Sequence, residues 1–429
     1  MFAFGGAYQW TVVPLIAGSV ALAALQRPRL FRPGARALDA AVTACLVVAG
    51  FQLVMLPAPV RLDISPALAR VDGALRLDAP SDPRSGPRAP LAVDPTAGAE
   101  WLALAVGVVL YFWCARDALR YGSVRQVLRA VSICGGTAAA IALVQHTAAP
   151  RLIYFVWRPV SRSAQYPFGP FVNRNDMAAW MVMALPLSTG YMLARLDVRR
   201  RERRLDLESS FDATGVWLAT AICVMAAVLV ATLSRSGLTA GAAAAVSIAL
   251  LARGRMERRG LAVLVAALAL VALVGAAYAN LGALMTRVGE TLESGVGGRR
   301  EIWRVSVTMI RDFWLAGVGV GSYERAMTVY QPPHDFAFNH AHNEYLQLAA
   351  EGGLLFCVPA ACAIGAGVWG IARRMQRDRT PVYWIRAGAA TALLAIGVQS
   401  IWETGLRMPA NAVLFALCAA IALHEPGAG

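Results

Sequence analysis

Apolar residues in this chain fall in runs long enough to cross a lipid bilayer. The hydrocarbon core is about 30 Å thick and takes roughly 20 apolar residues in helix, with about 17 as a working minimum. Eleven stretches come near this length: 8–25, 38–57, 101–115, 130–149, 177–194, 215–233, 237–252, 261–279, 353–372, 382–401 and 408–423. Two of them, 101–115 and 237–252, are short and must borrow flanking residues. The first 25 residues lack a basic start and an Ala-x-Ala end, so they are expected to form a retained helix and not a cleaved signal. The pattern predicts an all-α polytopic membrane protein with about 11–12 transmembrane helices. It divides into a bundle over 1–279 with about eight spans, a large polar loop over 280–352 containing short helices, and C-terminal spans over 353–429. Neither an internal repeat nor an aqueous domain with its own core is expected.

Composition agrees with that pattern. Of 429 residues, 58% are hydrophobic and only 15% charged, and mean hydropathy is +0.53. A soluble domain carries about a quarter charged residues, so a soluble enzyme, a disordered chain and a disulfide scaffold are excluded. The net charge of +14 rests on 40 basic residues, all arginine. Their placement reads as topology, not as a nucleic-acid surface. Five short loops, 26–37, 115–129, 195–213, 253–260 and 373–381, hold 22 arginines in 63 residues. Three long loops, 58–99, 148–176 and 280–352, hold 15 in 144. Basic loops stay on the cytoplasmic side, so the long loops face outward; with eleven spans the N-terminus lies outside and the C-terminus inside. The proline-rich loop at 58–99 reads as a mobile cap or spacer. Seven cysteines lie in apolar stretches without a Cys-x-x-Cys pair, which suits buried structural thiols.

Candidate chemistry concentrates on the outward side. Three of five histidines, His334, His340 and His342, fall within nine residues. Histidine exchanges a proton near neutral pH, so one reading is general base catalysis. Alternation in an extended segment also lets His340, His342 and Glu344 ligate a metal, though no His-Glu-x-x-His or Cys/His spacing accompanies them. A third reading has the histidines only hydrogen-bonding the loop. Arg235, in Leu-Ser-Arg-Ser-Gly between two spans, sits where an arginine is costly unless it is paired, meets an anion or snorkels. In Gly-Gly-Arg-Arg-Glu-Ile-Trp-Arg (297–304), a helix would align Arg300, Arg304 and Arg311 opposite Ile302, Val305 and Met309. That pattern suits a helix resting on the membrane, or an anion site built from Arg299 and its neighbours at a helix start. Asn173 and Asn175 stand on a tight turn before the span at 177–194; they can bind sugar hydroxyls, and Asn175 by itself suits a helix cap. Glu403 and Arg407 read as an interfacial ion pair worth little, and Arg386 as a snorkelling residue.

In chain order these stretches resemble the O-antigen ligase and polymerase superfamily of bacterial envelope proteins. The matching motifs are Gly-x-Phe-x-Asn-x-Asn at 169–175, Ser-Arg-Ser-Gly at 234–237 and Gly-Arg-x-x-x-Trp at 298–303. Gly-Val-Gly at 317–319, His-x-His-Asn at 340–343 and Glu-Gly-Gly-Leu at 351–354 complete the series. The resemblance covers about residues 165–375. His342, Asn343 and Gly353 fit the ligase spacing of histidine, a polar residue, nine residues and glycine; Phe356 stands where a second glycine is expected. Family members usually have twelve spans with both ends cytoplasmic.

The resemblance implies a glycosyltransferase of the bacterial inner membrane, acting at the periplasmic face. Its donor would be a glycan on undecaprenyl diphosphate and its acceptor the lipid A–core oligosaccharide, among membrane lipids and without a cofactor or metal. A donor with a diphosphate leaving group needs no covalent activation; arginines can neutralise the developing charge and one base can take the acceptor proton. On this expectation His342 is the base, with His340 orienting or replacing it. Arg235 and Arg299 bind diphosphate with help from Arg300 and Arg304, and Asn173, Asn175, Asn343 and Glu344 are candidates for sugar or acceptor contacts. Direct displacement predicts inversion at the anomeric carbon. Chain length, a single dominant outer loop and the histidine spacing favour a ligase over a polymerase or protein O-oligosaccharyltransferase of the same superfamily. A lipid-linked glycan transporter is the alternative from another class, but it calls for ionisable groups near the bilayer midplane.

Overall fold

The computed structural model describes the whole chain except residues 1–3, 76–81, 122–123, 159–166, 203–211, 259, 261, 263–264, 267–295, 333–337 and 426–429. The helices are α1 (Gln9–Gln26), α2 (Arg36–Phe51), α3 (Ala58–Ile64), α4 (Leu68–Leu75), α5 (Pro95–Tyr121), α6 (Val124–Ala148), α7 (Arg174–Arg201), α8 (Ala213–Ala231), α9 (Arg235–Arg253), α10 (Val296–Asp312), α11 (Tyr323–Tyr330), α12 (Glu344–Arg377), α13 (Val382–Gln399) and α14 (Pro409–Ala422). Among the described residues there is no strand, only isolated bridges. The fold is an all-α polytopic membrane fold. Seven helices, α5 to α9 with α12 and α13, are long and apolar enough to span a membrane. The two short stretches gain their length from flanking residues, in α5 and α9. The expected spans at 8–25, 38–57 and 408–423 form α1, α2 and α14, of 18, 16 and 14 residues. The expected span at 261–279 lies almost wholly outside the described residues.

Helix α7 is the axis of the bundle, buried along most of its length and packed by α6, α8, α9, α13 and α14. Small residues allow this. Gly190 and Gly388 face each other where α7 crosses α13, and a Cβ on either would press on the other helix's backbone. Arg386, on α13, does not snorkel. It is 4% exposed, pairs with Asp378 and donates to the Ala422 and His424 carbonyls at 3.1 and 2.7 Å. A desolvated guanidinium needs that many acceptors.

A second core lies outside the bundle, contrary to the expectation that no such domain exists. Leu62, Leu68, Val71 and Leu91 from the proline-rich loop pack with Ile302, Val305, Met309 and Phe313 of α10 and with Tyr323 and Met327 of α11. The loop at 58–99 is therefore no loose spacer, since Arg61 is buried within it, bound to Asp72 and to the Pro90 carbonyl. Its hydrophobic residues are too few to be read as a core until α10 supplies the other half. The apolar stripe of α10 faces this cap and not the membrane, while Arg300, Arg304 and Arg311 are exposed on the opposite face.

Cap and bundle meet at a break in α12. At Gly353 the backbone takes φ 56°, ψ −162°, a region open essentially only to glycine. The carbonyls freed by the break accept from Val318 and Gly319 N–H groups, and the Leu354 and Leu355 N–H groups donate to Trp314 and Leu315. Gln52, from the end of α2, donates to the Ala316 and Glu351 carbonyls at 2.7 and 2.9 Å. The Gly-Val-Gly and Glu-Gly-Gly-Leu motifs are thus two halves of one joint. Gly353→Ala is expected to cost about 1–3 kcal/mol from backbone strain, and more from overlap with Leu315. Gly365→Ala meets nothing within 4 Å and should leave the melting temperature of purified protein unchanged.

Candidate active site

The joint sets the position of the histidine loop. Asn343 ends that loop by capping α12, its side chain accepting from the Leu346 N–H at 3.0 Å, while the Glu344 N–H donates to the Ser400 carbonyl. Trp303 of α10 donates its indole N–H to the Ala341 carbonyl at 3.0 Å. Held from both sides, His342 adopts φ 47°, left-handed and unusual for a residue with a Cβ. Strain of this kind persists where the surroundings fix it, often at functional sites.

His342 meets Glu403. Its Nδ1 lies 3.6 Å from Glu403 Oε2, beyond a hydrogen bond but within range to orient the ring. The same atom is buried without a hydrogen-bond partner, although the side chain is 39% exposed. The ring's exposure therefore lies away from Nδ1. The other Glu403 oxygen, Oε1, accepts from Arg299 Nη2 at 2.8 Å and from Asn175 Nδ2 at 2.9 Å. One buried carboxylate, on the connection between α13 and α14, thus gathers the histidine loop, the start of α10 and the start of α7. Asn175 is not the cap of α7; Asn173 is, accepting from the Asn175 N–H.

Glu403 and Arg407, four apart in sequence and expected to pair, do not. Arg407 turns to Glu351 at 2.7 and 3.2 Å and to Glu344 at 3.3 Å, with its guanidinium over Trp101. Burial works against the Arg407 charge, but Glu351 and Glu344 outweigh it and raise its pKa. Glu344 and Asn343, expected near the acceptor, are buried and engaged in this framework.

His340 differs from His342. Burial pushes its imidazole down to about 4, with the charges of Arg407 and His342 adding to the effect. Its Nδ1 is 3.5 Å from Gln347 Nε2, at the outer limit of a hydrogen bond. An unfolded histidine titrates near ~6.5, so between the two values the unfolded chain binds the extra proton and stability falls as pH drops. His340→Gln should flatten the loss of melting temperature between pH 6.5 and 4; an unchanged slope would count against burial of a neutral ring. His334 lies outside the described residues. Among the described residues no three His, Cys, Asp or Glu side chains converge as a metal site, and Glu344, considered as a ligand with the two histidines, faces Arg407.

Arg235 opens α9 at this end of the bundle. Ser234 caps that helix, accepting from the Gly237 N–H, after a left-handed Leu233. Gly237 lies so close to Ala178 that a Cβ would crowd it, which seats the turn against the first turns of α7, near Asn175. The Arg235 side chain is exposed.

Residues 220–356 match the O-antigen ligase family. That stretch runs from α8 through the Ser-Arg-Ser-Gly turn, the arginines of α10 and His340 and His342 to the glycine joint. The match supports the O-antigen ligase and polymerase superfamily, membrane enzymes of the glycosyltransferase type that work on lipid-linked glycans. No curated protein matches the chain. Glu403 and Asn175 lie outside the O-antigen ligase match. No spacing announces Glu403, 61 positions after His342 in sequence; the available signal was an acid in a short polar break between two apolar spans.

Proposed function

We propose that this protein is an O-antigen ligase of the bacterial inner membrane, moving a polysaccharide from undecaprenyl diphosphate to a hydroxyl of the lipid A–core oligosaccharide at the periplasmic face. The observation that carries the reading is the meeting of His342, Arg299 and Asn175 on Glu403, in a chain with an O-antigen ligase match. His342 takes the proton of the acceptor hydroxyl, with Glu403 facing Nδ1 at 3.6 Å so that the exposed side of the ring meets substrate. The hydroxyl oxygen attacks the anomeric carbon as the bond to the diphosphate oxygen breaks, with inversion. Undecaprenyl diphosphate leaves carrying the electron pair, and preorganised guanidinium groups stabilise that charge. Arg299, 37% exposed, shares Glu403 with the base; Arg300 and Arg304 extend the basic face of α10, and Arg235 approaches from α9. Asn173, exposed on its turn, is the candidate for sugar contacts, while Asn175, donating to Glu403, helps to position that carboxylate. His340, with its pKa pushed far below neutral, serves the loop and not the proton transfer.

Deletion of the gene tests the assignment. Loss of a ligase leaves core-only lipopolysaccharide while long chains accumulate on the carrier lipid. Core bearing a single repeat unit would instead make the protein a polymerase. Arginines take the part that divalent metal plays in other diphosphate chemistry, so transfer by purified protein should survive EDTA; loss on chelation with recovery on adding a divalent ion would refute that.

A further inference from the structure

The cytoplasmic end of the bundle contains a cavity that glycan transfer does not use. It has a volume of about 370 Å³ and lies between the last turns of α7 and the first turns of α6 and α13. Three arginines line it, Arg125, Arg195 and Arg199, over an apolar floor that includes Tyr191, Val382 and Ile385. Tyr191 and Ile385 are each 5% exposed. Along α7 the 20 residue steps from Asn175 to Arg195 span about 30 Å, the thickness of the hydrocarbon core. The cavity therefore opens at the membrane face opposite His342.

We propose that this cavity binds the phosphate headgroup of an anionic phospholipid of the inner leaflet. Arg195 and Arg199 share one carboxylate, Asp212, at 2.8 and 2.7 Å. With Glu202, also on the lining, two carboxylates face three guanidinium groups, and positive charge remains. Two helices, α6 and α13, begin at the cavity, and the positive ends of their dipoles favour an anion there. The apolar floor suits acyl chain or glycerol carbon beneath the phosphate, which a soluble anion lacks. Basic pockets between membrane helices on the cytoplasmic side are suited to acidic headgroups.

The test uses the full-length protein, purified and delipidated in detergent, with native mass spectrometry reading lipid retention. Phosphatidylglycerol should be retained over phosphatidylethanolamine, and Arg125→Gln with Arg199→Gln should weaken that retention roughly tenfold. Arg200→Gln with Arg201→Gln removes an equal charge from the same membrane face but outside the cavity, where Arg200 pairs with Glu257 and Arg201 with Asp197; it should change nothing. Gel filtration and melting temperature confirm that each variant folds. Equal retention of the two lipids, or equal loss in the variant of Arg200 and Arg201, would overturn the site. Displacement by inorganic pyrophosphate at the same concentration as phosphatidylglycerol would reassign it to a soluble phosphate and overturn the lipid assignment.

Discussion

His342→Ala should abolish glycan transfer while leaving the protein folded. The loss expected for removing a positioned general base is about 10²–10⁴ in rate, and the other described histidine of the loop cannot replace it. His340 is two residues away, but burial and neighbouring positive charge hold its pKa at about 4, too weak a base for a sugar hydroxyl near neutral pH. Folding should survive because the loop is held by backbone and framework contacts, from Trp303 to the Ala341 carbonyl and from the Ala341 N–H to Gln347 Oε1, and not through the His342 ring. Alanine also relieves little of the strain at φ 47°, since it too carries a Cβ. The measurement is initial rate together with melting temperature; a folded variant with near-normal transfer removes His342 as the base.

Glu403→Gln is the second large effect. The substitution keeps the size of the side chain and removes its charge, so Arg299 loses its ionic partner at 2.8 Å and His342 loses the carboxylate facing Nδ1. The amide can present its N–H₂ group to the ring and so select the wrong tautomer, the fault known from carboxylate-to-amide changes in hydrolase triads. A rate loss of about 10² or more is expected. Residues that act as a unit are non-additive, so Glu403→Gln in the His342→Ala background should cost almost nothing further. Full additivity would show that Glu403 only supports the fold. Asn175→Ala, which leaves both charges in place, should cost much less than Glu403→Gln.

What the sequence made legible follows its ranges of interaction. The helices of the bundle could be read because lipid imposes a length and a hydropathy on each of them separately. The arginine stripe of α10 was also legible, since Arg300, Arg304 and Arg311 share a face by helical spacing alone. What its apolar face touches was not, because Ile302 and Met309 look the same against a membrane or against Leu62 and Leu68. The cap core therefore went unseen: its halves are separated by more than 200 residues, and neither is hydrophobic enough to declare itself. The histidine loop stood out by clustering, and the choice of His342 over His340 followed only from the resemblance; burial supplies a physical reason for it. Glu403 and Arg407, four apart near a helix end, had every local reason to pair. They diverge because Glu344 and Glu351, brought in by the break at Gly353, offer Arg407 a better site. A break in a helix is visible in sequence as two glycines, but the direction it sends the chain is not.

In the proposed mechanism the side chains gathered on Glu403 transfer a lipid-linked glycan. Incubation of the purified protein with an undecaprenyl diphosphate glycan and lipid A–core, followed by analysis of the product linkage, tests it most directly. The expected products are a core-linked glycan with inverted anomeric configuration and free undecaprenyl diphosphate, formed by the wild-type chain and lost in His342→Ala. A product with retained configuration, or one formed equally by that variant, would contradict that mechanism.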